Sequence, residues 1–193
     1  MSSTVLLERI WRSDLLDSTE RFRLEQSNDG FRLSGTVSID RRGAHVGITY
    51  EVDNTTDWRT RRAVIRIPDV QVEFDVTVEG SASWSINGRR RSDLRGCIDI
   101  DLGWTPATNT LPIRRTRAPI GSPTEVRAAW LQWPELDFIA ATQTYTKQDE
   151  GTWLYESGDF SAVLEVDPHG AVVTYGDPPI WYSVSGHPGG EEA

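Results

Sequence analysis

The sequence is poor in cysteine, lysine and histidine, and it has no long apolar run. Its single cysteine, Cys97, excludes an intrachain disulfide, which suits a reducing cytoplasm. Charges at Glu8, Arg9 and Arg12 interrupt the N-terminal apolar stretch that a signal peptide would need. No apolar run approaches the roughly 18 residues of a membrane-spanning helix. We therefore expect a cytoplasmic protein that does not span a membrane.

Positive charge is also scarce relative to negative charge. The formal net charge is −9 at pH 7. Because nucleic acids are bound mainly through positive charge, we expect no nucleic-acid partner. All the basic residues except Lys147 are arginines, whose planar guanidinium groups suit paired recognition of carboxylate or phosphate.

Recognisable catalytic and metal-binding motifs are missing from the sequence. It has no phosphate-binding Gly-rich loop, no His-Glu-x-x-His, no nucleophile elbow and no Cys-x-x-Cys pair. The three histidines, His45, His169 and His187, fall in or beside turns or in the C-terminal tail. We therefore assign no catalytic residue, no metal ligand and no cofactor.

What the sequence does have is alternation of apolar and polar residues along most of its length. In one segment Val70, Val72, Phe74, Val76 and Val78 alternate with polar residues. This period of two is typical of strands with one buried face. The predicted strands are 5–12, 19–27, 31–40, 45–53, 58–67, 70–79, 82–86, 94–102, 124–132, 136–146, 152–157, 160–166 and 171–175. We predict an all-β fold, in which a strongly curved antiparallel sheet forms a roll or barrel with few short helices.

One long connection interrupts the strands. Residues 104–123 contain four prolines, which exclude a central strand there. The segments 37–44 and 164–171 resemble each other, which suggests two similar halves joined near this connection. We predict a single β-rich domain over residues 1–184, followed by a disordered Gly-, Pro- and Glu-rich tail over 185–193.

Two carboxylates lie two positions apart on the predicted strand 94–102, with one residue between them. Asp99 and Asp101 share one face, so their backbone positions lie about 6.6 Å apart. Paired carboxylates at such a spacing could act as acid and base in glycoside hydrolysis. The alternative is a polar outer face or pairing with arginines, because any amphipathic strand can give this spacing.

Charged residues also occur in phase with apolar residues that look buried. Arg59 and Arg61 are in phase with Ala63, and Glu20 is in phase with Phe22. An inward charge must be paired or must face a water-filled cavity. Two interpretations stay open: a structural Glu20–Arg61 ion pair, or a polar patch that holds a ligand headgroup. Glu20, Arg61, Asp99 and Asp101 are thus a candidate buried polar cluster.

A family resemblance rests on the stretch Gly96–Arg115, which reads GCIDIDLGWTPATNTLPIRR. Supporting pieces are Trp58-Arg59-Thr60-Arg61, Trp84 near Asn87-Gly88, and the segment 160–170. Together they resemble the bacterial family named "putative glycolipid-binding" proteins, formerly a domain of unknown function, over roughly residues 10–182. The resemblance implies a β-rich roll or barrel that binds an amphipathic molecule, and it supplies no catalytic residues.

The leading functional hypothesis is non-enzymatic binding of a glycolipid or related lipid in an apolar cavity with an arginine-lined mouth. A hydrolase acting on a glycoside or ester through Asp99 and Asp101 is the alternative, and a structural partner protein is a third. The stretch 96–115 is either a structural crossover or a pocket rim, and the oligomeric state stays open. The candidate ligand-binding residues are Trp58, Arg59, Arg61, Trp84, Trp104, Asn109, Arg114 and Arg115.

Overall fold

A computed structural model describes residues 3–41, 43–80 and 82–184, with only the backbone of Arg41 included. The predicted disordered tail, 185–193, lies outside the described residues. The all-β class is confirmed, because strands dominate these residues and the one α-helix among them is short. No helix in the described part of the chain is long and apolar enough to cross a membrane.

The first half of the chain forms a meander of eight strands. Its strands are β1 (Thr4–Ser13), β2 (Ser18–Ser27), β3 (Gly30–Arg41), β4 (Ala44–Asn54), β5 (Thr60–Ile67), β6 (Val72–Glu79), β7 (Ser83–Ile86) and β8 (Arg89–Arg90). Each strand pairs antiparallel with its neighbour in sequence. Alternation is visible in the burial of β2, where Ser18, Glu20, Phe22 and Leu24 are buried and the residues between them are exposed.

The second half supplies seven further strands to the same sheet. They are β9 (Asp99–Leu102), β10 (Pro123–Leu131), β11 (Phe138–Lys147), β12 (Thr152–Ser157), β13 (Phe160–Val166), β14 (Val172–Tyr175) and β15 (Trp181–Val184). β15 pairs antiparallel with β1, so the two meanders join into one 15-stranded sheet with β8 and β9 at its ends. β9 pairs parallel with β10, which departs from the otherwise antiparallel pattern.

The sheet curls without closing, and the connection between the meanders fills its interior. We call residues 99–115 the plug; it comprises β9, a 3-10 turn at Ala107–Asn109 and the helix α1 (Thr110–Arg115). Every residue from Trp104 to Ile113 is buried. The plug also binds β5, because the Thr60 hydroxyl accepts the Ile100 amide proton at 2.9 Å. Pro112 is tolerated in α1 because the first turn of a helix leaves its amides without intrahelical acceptors.

Several predicted boundaries are wrong, and turns explain the differences. The predicted strand 94–102 is reduced to β9, because Ser92–Leu94 forms a 3-10 turn and Gly96 adopts a φ of +86°. Likewise Pro68–Val70 forms a 3-10 turn, so β6 begins only at Val72. The short strands β8 and β15 were not predicted. The similarity of the two halves and the single-domain assignment stay predictions.

Candidate functional site

The carboxylate of Asp99 is tied to the last residue of the plug. Arg115 meets it with two parallel hydrogen bonds, each 2.5 Å from nitrogen to oxygen, and also donates to the carbonyl of Trp58 at 3.0 Å. The Asp99 side chain is 3% exposed. Burial raises the pKa of Asp99, and the neighbouring Arg115 opposes that rise. Asp99 and Arg115 therefore form an ion pair within the plug, and the same Arg115 side chain joins the plug to the β4–β5 turn through the Trp58 carbonyl.

The neighbouring arginine completes this attachment. The guanidinium of Arg114 lies 5.3 Å from the ring centroid of Trp58, and Phe31 stacks on that ring at 3.8 Å. Arg114 also donates to the carbonyl of Pro168 at 3.0 Å, in the turn after β13. Trp58, Arg114 and Arg115, predicted to touch a ligand, thus join the plug to two turns of the sheet. Their placement favours the structural-crossover interpretation of the family motif.

The two other predicted arginines face solvent. Arg59 pairs with Asp57 on the surface, and Arg61 is exposed with no ion pair to any described residue. The predicted inward orientation of Arg61 is wrong because a β-bulge interrupts the alternation. Asn54 pairs with Thr60 and Asp53 pairs with Arg62, so Arg61 is the extra residue between them.

Glu20 is fully buried, as its phase predicts, but its partner is Tyr50 rather than Arg61. The Tyr50 hydroxyl donates to one carboxylate oxygen, and the other accepts no hydrogen bond from the residues that the structure describes. Burial raises the pKa of Glu20 to about 7, and the neighbouring hydroxyl groups of Thr105 and Tyr50 lower it in part. The predicted Glu20–Arg61 ion pair and the buried cluster that includes Arg61 are therefore wrong.

The remaining predicted tryptophans lie in the core. The Trp84 indole nitrogen donates to the carbonyl of Cys97 at 2.9 Å, and both side chains are buried. Trp104 is fully buried within the plug and packs edge-on against Trp133. None of the predicted tryptophans lines the cavity described next.

An open cavity of about 450 Å³ lies between the plug and the second meander. Its walls are largely aromatic and aliphatic, and its polar groups come mostly from the plug. The lining residues are Leu16, Asp101, Leu102, Gly103, Thr105, Pro106, Asn109, Trp130, Tyr155, Ser157, Phe160, Tyr175, Ile180 and Trp181. A volume of this size is within the usual range for small-molecule sites.

Three aromatic side chains from adjacent strands pack together on one wall. Tyr155 on β12 lies 6.1 Å, centroid to centroid, from both Phe160 and Tyr175. Phe160 and Tyr175 stack at 6.3 Å. We call these three residues the aromatic wall. Phe160 is 43% exposed although its ring belongs to this wall, so it stands at the cavity mouth.

The polar end of the cavity is built around Asp101. One of its carboxylate oxygens accepts the Thr108 hydroxyl at 3.1 Å, and the other accepts the Gln143 amide at 2.6 Å. Asn109 is fixed beside it, because the Tyr145 hydroxyl donates to its side-chain oxygen at 2.8 Å. Burial raises the pKa of Asp101, while the Gln143 and Thr108 hydrogen bonds lower it.

The tyrosines of the aromatic wall keep their protons at neutral pH. Burial raises the pKa of Tyr155, and the negative charge of Asp101 raises it further. Burial likewise raises the pKa of Tyr175, with smaller contributions from Tyr155 and Asp101. Both phenol groups are therefore neutral hydrogen-bonding groups rather than charged ones.

None of the described residues that line this cavity is an arginine or a lysine, so the predicted arginine-lined mouth is wrong for it. Of the predicted site residues, only Asn109 and Asp101 meet here. The hydrolase alternative gains no support, because Asp99 is paired with Arg115 and only Asp101 reaches the cavity. In the described part of the chain, no group of three or more His, Cys, Asp or Glu side chains is placed to hold a metal ion.

The aromatic wall was missed by sequence reasoning. Alternation does put Trp153 and Tyr155 on one face of β12, and Phe160 and Ala162 on one face of β13. That signal identifies inward residues, but it does not say which of them face unfilled space. Whether unfilled space remains beside these inward residues depends on how far the plug extends across the sheet.

Comparisons with known proteins agree with this architecture. The family model described as "Putative glycolipid-binding" matches residues 8–178. A crystal structure of a DUF1089 family protein from Pseudomonas aeruginosa is similar to the chain, with 30% sequence identity and a TM-score of 0.74, covering 82% of this chain and 89% of that one. No curated protein matches the chain. Because the family model spans most of the sequence, the chain belongs to the "putative glycolipid-binding" family.

Proposed function

We propose that the protein is a non-enzymatic binder of an amphipathic glycoside, whose sugar ring occupies the cavity beside the plug. The observation that carries the proposal is the combination of an aromatic wall with a polar end formed by Asp101, Asn109 and Thr105. The family description supports a binding role in general terms.

The chemistry of the cavity matches both surfaces of a sugar ring. A pyranose has an apolar face of C–H groups, which the aromatic wall can cover, and an edge of hydroxyl groups that both donate and accept hydrogen bonds. The carboxylate of Asp101 and the amide of Asn109 offer acceptors and donors at one end. A few oriented polar groups in an otherwise apolar pocket are the usual basis of ligand orientation.

The mouth of the cavity suits the apolar part of such a ligand. Phe160 is exposed there, and Leu16 and Ile180 also contribute to the lining. Leu15, next to Leu16, is 73% exposed. An alkyl chain leaving the sugar would pass over these apolar side chains and shield them from water.

The test is isothermal titration with octyl glucoside below its micelle concentration, with methyl glucoside as the ligand that lacks the chain. Phe160→Ser removes part of the aromatic wall and should weaken octyl glucoside binding by about 1–2 kcal/mol, or about five- to thirty-fold. Val163→Ser is the matched control, because Val163 lies on the same strand with similar exposure but outside the cavity.

The proposal also states what happens to the ligand. Octyl glucoside should remain intact after long incubation with the protein, as followed by the NMR signal of its anomeric proton. Absence of binding, equal weakening by both variants, or release of glucose would each contradict the proposal.

A further inference from the structure

The charge balance of the cavity is uneven. Asp101 is the only Asp or Glu among the lining residues that the structure describes, and none of those residues is an arginine, lysine or histidine. Two residues earlier on the same strand, Asp99 has Arg115 as a cationic partner. Asp101 has no such partner among the residues that the structure describes, since both of its hydrogen-bond donors, Thr108 and Gln143, are neutral.

Asp101 also has unused hydrogen-bonding capacity. A carboxylate offers about four lone-pair sites, and the structure assigns one donor to each oxygen. A half-buried carboxylate without a cation is unfavourable, because it has lost hydration without gaining an opposite charge. A ligand that brings a positive charge to Asp101 would remove this deficit.

The aromatic wall favours the same kind of ligand. The faces of tyrosine and phenylalanine rings carry partial negative charge and attract ammonium groups, more strongly where water is excluded. Tyr155, Phe160 and Tyr175 lie within about 6 Å of one another, centroid to centroid, and line the cavity with Asp101. Anionic headgroups such as phosphates or uronates would instead meet the Asp101 carboxylate with no compensating cation.

We propose that the cavity selects a headgroup with a protonated amine, that is, a glycoside of an amino sugar with a free ammonium group, over neutral and acidic sugars. This inference rests on the proposed function, because it assigns the charge of the ligand in the same cavity. The ammonium group lies against Asp101, and the sugar ring lies against the aromatic wall.

The ionisable groups around Asp101 do not supply an alternative counter-charge. Asp99 on the same strand is paired with Arg115, and it raises the pKa of Asp101 further. Tyr145 on β11, Tyr155 on β12 and Tyr175 on β14 are neutral, because burial raises the pKa of each. Binding of the amine should therefore weaken as pH falls and Asp101 takes up a proton, whereas binding of a neutral glycoside should change little.

Three octyl glycosides of equal chain length test the inference at about pH 7, where much of the amine is protonated. They are octyl glucoside, its 2-amino-2-deoxy analogue with a free amine, and octyl glucuronide. We expect the amine to bind about tenfold more tightly than the glucoside, and the glucuronide more weakly than both. Asp101→Asn should bring the affinities for the amine and for the glucoside to within about twofold of each other, so that the ratio of the two affinities, and not either affinity alone, is the readout. Glu156→Gln, which removes an exposed charge from β12 outside the cavity, should leave the preference unchanged.

The outcomes separate this inference from the proposed function. If no glycoside binds, the proposed function fails and the inference fails with it. If the glucoside binds but the amine binds no more tightly, only the inference is overturned. If Asp101→Asn does not fold, the pH dependence of wild-type binding decides. Loss of the amine preference towards acid pH supports the inference, and a preference independent of pH overturns it.

Discussion

Removing Arg115 should destabilise the protein strongly, because it leaves the carboxylate of Asp99 buried without a cation. The Asp99 side chain is 3% exposed and that of Arg115 is 18% exposed. Two hydrogen bonds of 2.5 Å join them. Loss of one partner of a buried ion pair costs about 3–5 kcal/mol, since the remaining charge is neither hydrated nor paired. For Arg115→Met we therefore expect a loss of this size, or about 6–20 °C in Tm.

The reasoning can be checked with two further variants. Arg59→Met removes the surface pair with Asp57 and should cost at most about 1 kcal/mol, because exposed pairs are hydrated and screened. The double variant Asp99→Asn/Arg115→Met removes both charges of the buried pair. It should recover a large part of the stability lost in Arg115→Met.

The stability penalty of Arg115→Met should depend on pH, in a direction set by the pKa of Asp99. Arg115 lowers the pKa of Asp99, so its removal raises that pKa further above the usual value. When the pKa of a carboxyl group is raised in the folded state, the unfolding free energy of the protein falls as the pH rises from the unfolded-state pKa to the folded-state pKa. The penalty in Arg115→Met should therefore shrink as the pH is lowered towards the unfolded pKa of Asp99. Urea unfolding followed by circular dichroism measures this, and equal penalties for Arg115→Met and Arg59→Met at neutral pH would refute the reasoning.

Three other predictions concern groups in the core or packed against it. The pKa of Glu20 is about 7 against a usual 4.5, so wild type should lose about 2–3 kcal/mol of unfolding free energy between about pH 5 and pH 8 as the folded state gives up its proton. Glu20→Gln should abolish that loss in urea titrations, and an unchanged pH dependence would contradict the assignment. Cys97 is fully buried, and burial raises its pKa. A thiol reagent should therefore label Cys97 only as fast as the protein unfolds. Rapid labelling of the native protein would count against this. Gly35→Ala should lower the unfolding free energy by about 1–3 kcal/mol, because the added Cβ would lie 2.5 Å from the Tyr50 ring. Gly47→Ala should be nearly neutral, because its Cβ would meet only the Asp69 carboxylate, at 3.5 Å. Equal Tm values for the two variants would disagree with this packing.

The fold was largely predictable because alternation is a local signal that each strand carries by itself. The burial of β2 follows the pattern read from Glu20, Phe22 and Leu24. Turn signals such as Asn87-Gly88 also fall where strands reverse. The prediction failed where a single residue changed the phase. The bulge at Arg61 cannot be recognised from the alternation on either side of it, because it is defined by the pairing of β5 with β4.

The site was less predictable because it is formed by long-range packing. Asp99 and Asp101 look equivalent in the sequence, yet one meets Arg115 and the other meets Gln143 on β11. The arginines of the family motif face the turns at Trp58 and Pro168 rather than the cavity. Which inward side chains border empty space depends on the path of the plug through the sheet. A period-two pattern has no information about that path.

The location of a bound glycoside tests the central claim most directly. A crystal structure of the protein with octyl glucoside should show the sugar ring against Tyr155 and Tyr175, with hydroxyl groups at Asp101 and Asn109. The alkyl chain should leave past Phe160. A sugar found instead in the surface groove lined by Arg114, Arg117 and Lys147, or the cavity left without sugar at saturating ligand, would contradict the account.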